Sequence, residues 1–448
     1  MANIIKMPIP VKFALNKLHS NGYEAYIVGG CVRDSIMGVE PHDWDICTSA
    51  LPKQIQEVFK DLKVILTGLQ HGTVTIVYEE NDYKQCLEIT TYRIDGEYKD
   101  NRHPENVEFT SNLSLDLMRR DFTINAMAYN DKEGIIDMFG GIKDIEMGRL
   151  RCVGNPNNRF QEDALRLMRA IRFAIKYDLQ IDDEVFKSIQ KNKILLKNVS
   201  IERICDELTK ILKSNIGNNG SNKNGIELIA YLIDFLQVVL DYKFDFDVQE
   251  IYDKLVFVEP NVPLRLAILF DTINIVNALK KLRFSNDIIF TAKTICEYGH
   301  KILDDKDIWS SRSSLMSAIN NLHLEDERYN VEDDSSLRYY ARLLLKNIHS
   351  CSFESIISFA KACTSNEYTL VALNILQKQI QFCKENDAYC LCHLAINGND
   401  IKQAGFKGKD IGKILNKLLD MVIREDIQNN REELLNTIDE IQMQRMWQ

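Results

Sequence analysis

One short stretch near the N-terminus constrains this chain more than any other. Ala25-Tyr26-Ile27-Val28 is apolar and partly β-branched, so it reads as a buried strand running directly into Gly29-Gly30. Cys31 to Met37 then reads as a helix opening, and Asp45-Ile46-Cys47 as a second strand with Asp43-Trp44-Asp45 at its start. Glycines at a strand-to-helix turn let backbone N–H groups approach an anion, and the helix N-terminus faces the same anion. Arg33 adds a forked cation there, so a triphosphate fits the concavity. Side chains two apart on a strand share a face, so Asp43 and Asp45 can grip one site while Trp44 turns into the core. Their hard oxygens suit Mg²⁺. Taken singly, Gly-Gly is usually a turn and Asp-x-Asp a solvated loop. In this order and so close together, they point to nucleotidyl transfer.

Length and composition set outer limits. A chain of 448 residues suggests about three modules. Its hydrophobic fraction of 45% and charged fraction of 27% are those of a globular protein, and no apolar run approaches the ~18 residues of a membrane span. The N-terminus shows neither a signal-peptide core nor an Arg-rich presequence, so a cytoplasmic location is expected. The 11 cysteines lack paired Cys-x-x-Cys spacing and are expected as reduced, mostly buried thiols. Cys390-Leu-Cys392-His393 is the one zinc-like cluster, and it lacks a second cluster to complete a tetrahedral site. A net charge of −10 argues mildly against nucleic acid as a partner. Two local segments run the other way: Arg149, Arg151, Arg159, Arg166, Arg169 and Arg172, then Lys402, Lys407, Lys409, Lys413 and Lys417. Each reads either as a basic surface or as a solvated helix face.

Up to about residue 140 the pattern is mixed α/β. Thr73 to Tyr78 and Cys86 to Tyr92 read as an antiparallel hairpin turning at Glu80-Asn81-Asp82. Cys86, Glu88 and Thr90 share one face of the second strand, so Glu88 reads as a third carboxylate for the aspartates or as a surface glutamate. Asp95 to Pro104 is a polar, turn-rich loop. From Asn158 onward helical periodicity dominates, with a linker-like stretch from Gly217 to Gly225 and possible breaks at Ser335-Ser336 and Glu385-Asn386-Asp387. Glu162 to Phe173 reads as one amphipathic helix with Glu162, Arg166 and Arg169 on a stripe. Taken alone, that stripe is a set of i,i+4 pairs worth about 0.2–0.5 kcal/mol each.

Residues 29–45, Arg119 to Ala126, Asp137 to Gly141 with Asp144, and Glu162 to Phe173 together resemble the class II nucleotidyltransferases that build or repair the CCA end of tRNA, and their relatives the bacterial poly(A) polymerases. The order and spacing match across roughly residues 20–210. The resemblance implies an α+β protein: an N-terminal nucleotidyltransferase (polymerase beta-like) head with an antiparallel sheet over 1–140, then an all-helical neck (141–213) carrying a nucleotide-base template, a body (226–330) and a tRNA-binding tail (331–448). It assigns metal binding to Asp43 and Asp45, with Mg²⁺ as cofactor, and triphosphate contacts to Gly29, Gly30 and Arg33. Arg120, Asp121 and Asn125 are implied to contact ribose and triphosphate. Asp163 and Arg166 are implied to read the incoming base, with Arg169 and Arg172 near phosphate or the primer end. The chemistry is sound, because cytosine and adenine each present an amino donor beside a ring-nitrogen acceptor, which Asp and Arg complement; uracil and guanine invert both.

Segments outside these blocks narrow the reading. Gly68 to Val74 resembles the CCA-adding members rather than the poly(A) polymerases, and the loop from Asp95 to Pro104 is one that CC-only enzymes shorten. Leu394 to Asp400, Gly405, Lys407-Gly408-Lys409, Gly412 and Asn429 look like the family's tail, or simply like helix boundaries. Phe270 stands where some relatives carry the histidine of a His-Asp metal pair, so no phosphohydrolase activity is expected. The expected function is template-independent addition of CCA to the tRNA 3′ end from CTP and ATP, by a monomer or homodimer with no membrane partner. The alternatives are an A-adding enzyme or poly(A) polymerase, and a non-catalytic RNA-binding module.

Overall fold

A computed structural model describes residues 4–80, 83–96, 107–217, 225–243, 247–271, 274–304, 335–348 and 353–446. The tip of the expected hairpin turn (81–82), most of the polar loop from Asp95 to Pro104, and the interior of the linker-like stretch (218–224) lie outside these residues. The chain divides into two compact units, Met1–Tyr252 with Lys280–Phe284, and Asp253–Leu279 with Ser285–Gln448.

The first unit opens with α1 (Ile9–Ser20), β1 (Ala25–Val28), α2 (Gly30–Ile36), β2 (Asp45–Thr48), α3 (Pro52–Val58), β3 (Lys63–Gly68), β4 (Thr73–Glu80) and β5 (Tyr83–Thr91). A small pair, β6 (Arg93–Asp95) and β7 (Val107–Phe109), precedes α4 (Leu113–Met118), β8 (Met127–Asn130) and β9 (Gly134–Asp137). Seven strands join in the order β3-β4-β5-β2-β1-β8-β9. All four residues of β1 are buried because both faces are covered. Ala25 and Ile27 pack with Val11, Leu15, Ile46, Val74 and Ile89, whereas Tyr26 and Val28 pack with Cys47, Tyr92 and Leu117. The sheet is antiparallel at every pairing except β2 with β5, which is parallel and sets Asp45 opposite Glu88. The intervening α3, β3 and β4 supply the crossover that a parallel pair requires.

Helices then take over: α5 (Gly141–Glu146), α6 (Pro156–Glu162), α7 (Leu165–Tyr177), α8 (Asp183–Asn192), α9 (Ile201–Leu212) and α10 (Gly225–Leu240). Two two-residue strands, β10 (Arg149–Leu150) and β11 (Gln180–Ile181), pair in parallel among them. The helix expected from Glu162 to Phe173 is broken at Asp163, whose backbone is extended (φ −139°, ψ 103°) and whose carboxylate accepts the Leu165 amide at 3.1 Å. An aspartate that caps the following helix interrupts the run.

Further on come α11 (Val248–Phe257), α12 (Val262–Leu269), α13 (Ile275–Lys281) and α14 (Asn286–Asp304). In the second unit the C-terminal helices Gly398–Gln403, Lys409–Ile423 and Arg431–Met446 enclose Ile401, Phe406, Leu418 and Ile438. Arg338 forks onto Asp387, and Arg342 donates to the same carboxylate through Nε while its Nη atoms reach the Ile423 carbonyl and Glu425. Cys390 and Cys392 are joined as a disulfide, where reduced thiols were expected. Among the described residues, no helix is long and apolar enough to cross a membrane.

Candidate active site

The alternation of β2 sorts its side chains. Ile46 and Trp44 belong to the core cluster on one side, and Asp45 shares the other side with Cys47. Asp45 is in register with Glu88 on β5, and Glu88 with Thr75 on β4, so the two acids stand side by side on one face. Asp43, Asp45 and Glu88 each keep part of their surface open to solvent, and among the described residues their carboxylates make no hydrogen bond or ion pair to protein. Burial pushes the Asp45 carboxyl above its ordinary range, Arg120 draws it back, and the charge of Asp43 adds to the upward push. Carboxylate oxygens gathered like this, with Arg120 acting on Asp45 but no ion pair to it, are hard donors of the kind that suit a divalent ion.

Gly29 has φ 78° and ψ −124°, and a Cβ there would lie 2.9 Å from Arg120 Nη1. Its amide does not face an open anion site as expected, because it donates to the Met127 carbonyl at 3.1 Å. The position demands glycine for its backbone conformation and for the close approach of Arg120. Gly30 opens α2. Arg120 is steadied by Asp116 at 3.3 Å, and the same wholly buried carboxylate accepts Arg119 Nε at 3.0 Å and Nη2 at 2.8 Å. Burial alone would raise the Asp116 carboxyl, but Arg120 and Arg119 outweigh it and hold it below the usual range.

Arg33 is buried and enclosed by protein. It donates to Asn125 Oδ1, to the Tyr177 hydroxyl at 2.5 Å and to Asp34 at 2.8 Å, and it lies 4.4 Å from the Tyr177 ring centroid. Asn125 Nδ2 donates in turn to Asp121 Oδ1 at 3.0 Å. Asp121 also accepts the Phe122 amide at 2.8 Å, Arg169 Nε at 2.8 Å and Arg169 Nη2 at 2.6 Å. Those four donors fill the roughly four lone-pair positions of a carboxylate. Asp121 thus spends most of its acceptor capacity on the protein. It orients Asn125 and Arg169.

The two residues expected to read the base each hold a protein partner. Asp163 receives a fork from Arg203 on α9, Nη1 at 3.2 Å and Nη2 at 2.8 Å. With the Leu165 amide that makes three donors, leaving about one acceptor site. Arg166 donates to Glu162 at 2.6 Å and to the carbonyls of Arg159 and Arg119 at 3.1 and 2.9 Å. Arg172 was expected near phosphate or primer, but it is tied to the buried Glu207 of α9 and fastens two helices together. The arginine-rich segment is therefore no open basic surface. Arg149 and Arg151 flank the buried Asp144, Arg159 and Arg166 share Glu162, and Arg169 takes Asp121.

Sequence reading missed Asp116, Arg203, Tyr177 and Glu207. Asp116 had a signal, since it precedes Arg119 and Arg120 by three and four residues on a helix. Arg203 had none, being 40 residues from Asp163. In the second unit, Asn429 bridges the His393 carbonyl and the Ala395 amide at 2.8 and 2.9 Å, and Asn397 caps Gly398–Gln403, so those residues are structural. Lys402, Lys407, Lys409, Lys413 and Lys417 are all exposed. Gly412 has open space where a Cβ would stand.

Comparison with known proteins agrees with this geometry. Residues 25–151 match the family described as "Poly A polymerase head domain", and residues 178–220 the family described as "Probable RNA and SrmB- binding site of polymerase A". The CCA-adding enzyme of Ligilactobacillus salivarius is 34% identical over 445 residues, covering 96% of this chain and 95% of that one. In fold, the chain is similar to the Bacillus stearothermophilus CCA-adding enzyme in complex with CTP, with TM-score 0.69, 24% identity and coverage of 98% and 99%. It is similar also to the Thermotoga maritima CCA-adding enzyme complexed with tRNA, with TM-score 0.65, 19% identity and coverage of 98% and 97%. The full-length match at this identity settles membership, and the chain belongs to the family of CCA-adding enzymes.

Proposed function

We propose that this protein adds C, C and A to the 3′ end of tRNA from CTP and ATP, without a template and with release of pyrophosphate. One observation carries the chemistry: among the described residues the carboxylates of Asp45 and Glu88, side by side on one sheet face, and of Asp43 just before β2 have no ion-pair partner, while the other acids around the site are held by arginines. The family depends on a metal, and we assign Mg²⁺ to Asp43 and Asp45 with Glu88 as a third carboxylate. When bound, Mg²⁺ lowers the pKa of the primer hydroxyl and neutralises charge on the departing pyrophosphate. Arg120, held against Gly29 by Asp116, presents its fork to the triphosphate. Gly30 and Arg33 shape the wall beside it, and Asn125, fixed through Arg33 and Asp121, faces the ribose.

For base choice, Asp163 accepts the exocyclic amino group of cytosine or adenine with the acceptor that Arg203 and Leu165 leave. Arg166 donates to the adjacent ring nitrogen. Uracil and guanine would set donor against donor and acceptor against acceptor, which is the strong form of discrimination. Four functional parts follow: head to residue 140, neck from 141 to 213, body from 226 to 330 and tail from 331. The exposed lysines between Lys402 and Lys417 suit an RNA backbone read by shape and phosphate.

The test supplies tRNAs ending before CCA, after C and after CC with each NTP separately. Ordered addition of C, C and A that then stops is expected. Long A tracts, or no use of CTP, would overturn the reading in favour of a poly(A) or A-adding enzyme.

A further inference from the structure

A second cluster of metal-type side chains lies in the other unit, apart from the nucleotide chemistry. Cys296 and His300 are four residues apart on α14, so they project from one face of that helix one turn apart. Asp271 follows the end of α12, where the wholly buried Phe270 anchors the backbone. The Cys296 thiol donates to Asp271 Oδ1 at 3.2 Å, and His300 Nε2 lies 2.5 Å from the same oxygen. The three ligand atoms all lie within 4.8 Å of one another. His300 is also set by its ring edge against Phe359, with centroids 5.3 Å apart. Gly299 allows that approach, since a Cβ there would meet Phe359 at 2.3 Å.

We propose that Asp271, Cys296 and His300 bind one zinc-class divalent cation, with solvent completing a tetrahedron. Donor chemistry supports the choice, because a thiolate, an imidazole and a carboxylate together suit zinc rather than Mg²⁺ or Ca²⁺. The i,i+4 spacing is the one by which a helix offers two ligands to a single zinc ion. A zinc ion about 2.0–2.3 Å from each donor needs donors roughly 3.3–3.8 Å apart. The Cys296–Asp271 separation is already near that, and the Asp271 and His300 atoms must part by about 1 Å. On metal binding the Cys296 thiol proton leaves, His300 offers an unprotonated Nε2 with its ring proton on Nδ1, and the cation takes the place between the donors. His300 is 45% exposed and Asp271 13%, so the cluster is reachable from solvent yet held on its inner side. The bound ion would fasten the end of α12 to α14. The other Cys–His cluster, Cys390-Cys392-His393, has both sulfurs in a disulfide and offers no thiolate.

Cobalt(II) added to the chelator-treated full chain tests this directly. A thiolate-to-cobalt charge-transfer band that saturates at one equivalent is expected; carboxylates of the nucleotidyltransferase site cannot produce it. The band persists in Cys392→Ser and disappears in Cys296→Ser. His300→Gln, at a half-exposed position that the fold tolerates, weakens cobalt binding at least about tenfold, and zinc raises the thermal midpoint of the wild type but not of this variant. Absence of the band, its survival in Cys296→Ser, or unchanged affinity in His300→Gln would overturn the assignment.

Discussion

The acids on the β2–β5 edge and the acids around α4, α7 and α9 lie in one unit yet are treated in opposite ways. Among the described residues the carboxylates of Asp43, Asp45 and Glu88 have no ion-pair partner, while Asp116, Asp121, Asp144, Asp163 and Glu207 each hold one or two arginines. A carboxylate with an arginine fork is largely satisfied and fixed in place. One left without an ion pair beside a like charge carries electrostatic repulsion that an added cation relieves. On the function proposed above, the first kind builds the walls of the site and the second kind carries its chemistry, so removing a member of each should give opposite phenotypes.

The largest effect is expected for Asp43→Ala. Addition to tRNA falls about a thousandfold, near 4 kcal/mol of transition-state stabilisation, while the thermal midpoint stays level or rises because Asp45 loses a like-charged neighbour. Retained addition, or a marked loss of stability, would break the comparison. Next comes Asp116→Ala, which strands Arg119 and Arg120 in a buried position. Breaking such a pair from one side costs about 3–5 kcal/mol, to be read as a lower urea midpoint. An unchanged midpoint would show that Asp116 is not a wall residue.

Arg203→Ala sharpens the boundary between the two kinds. If Arg203 aims the Asp163 acceptor, discrimination of CTP against UTP drops about tenfold to a hundredfold, the equivalent of an unpaired buried polar group. Competing incorporation from a mixed pool measures it. A fall in thermal midpoint with the CTP:UTP ratio intact would reduce Arg203 to a helix tie.

The smallest effect tests a saturated acid of the second unit. Burial would raise the Asp387 carboxyl, but hydrogen bonds from Arg338 and Arg342 lower it from 3.8 to about 2. The folded state therefore binds fewer protons, and the pair stabilises above the unfolded value, with its contribution fading as pH falls through about 2. Wild type should exceed Asp387→Asn by about 2 kcal/mol near neutrality, and the gap should close between pH ~4 and ~2. A gap that is constant with pH would show that the charge of Asp387 is not what the arginines hold.

Much of the head was legible because its signals are local. The β1, α2 and β2 boundaries follow from an apolar run, a glycine pair and alternation, and Trp44 turned inward as its position between two aspartates required. Alternation also placed Glu88 on a face that could meet Asp45, although the parallel pairing that brings them together leaves no trace in either strand alone. The two basic segments looked alike in the sequence and came out opposite. Of the arginines from Arg149 to Arg172, Arg149, Arg151, Arg159 and Arg166 meet acids close in sequence, Asp144 and Glu162, whereas Arg169 and Arg172 are taken up by the distant Asp121 and Glu207. The lysines from Lys402 to Lys417 face solvent. The break at Asp163 escaped notice because helical period continues through it, and only its own capping bond reveals it.

Backbone conformation and the order of elements are near-neighbour properties, and so the strand–glycine–helix–strand frame, the paired aspartates and the change from sheet to helix could be read along the chain. Whether a charge is left open or closed depends on two side chains meeting, often across forty residues, and no local pattern records that meeting. Tertiary packing alone decided that Asp121 and Arg172 are taken up by the protein itself, that Asp163 is held by Arg203, and that the carboxylates of Asp43 and Asp45 meet no ion-pair partner among the described residues.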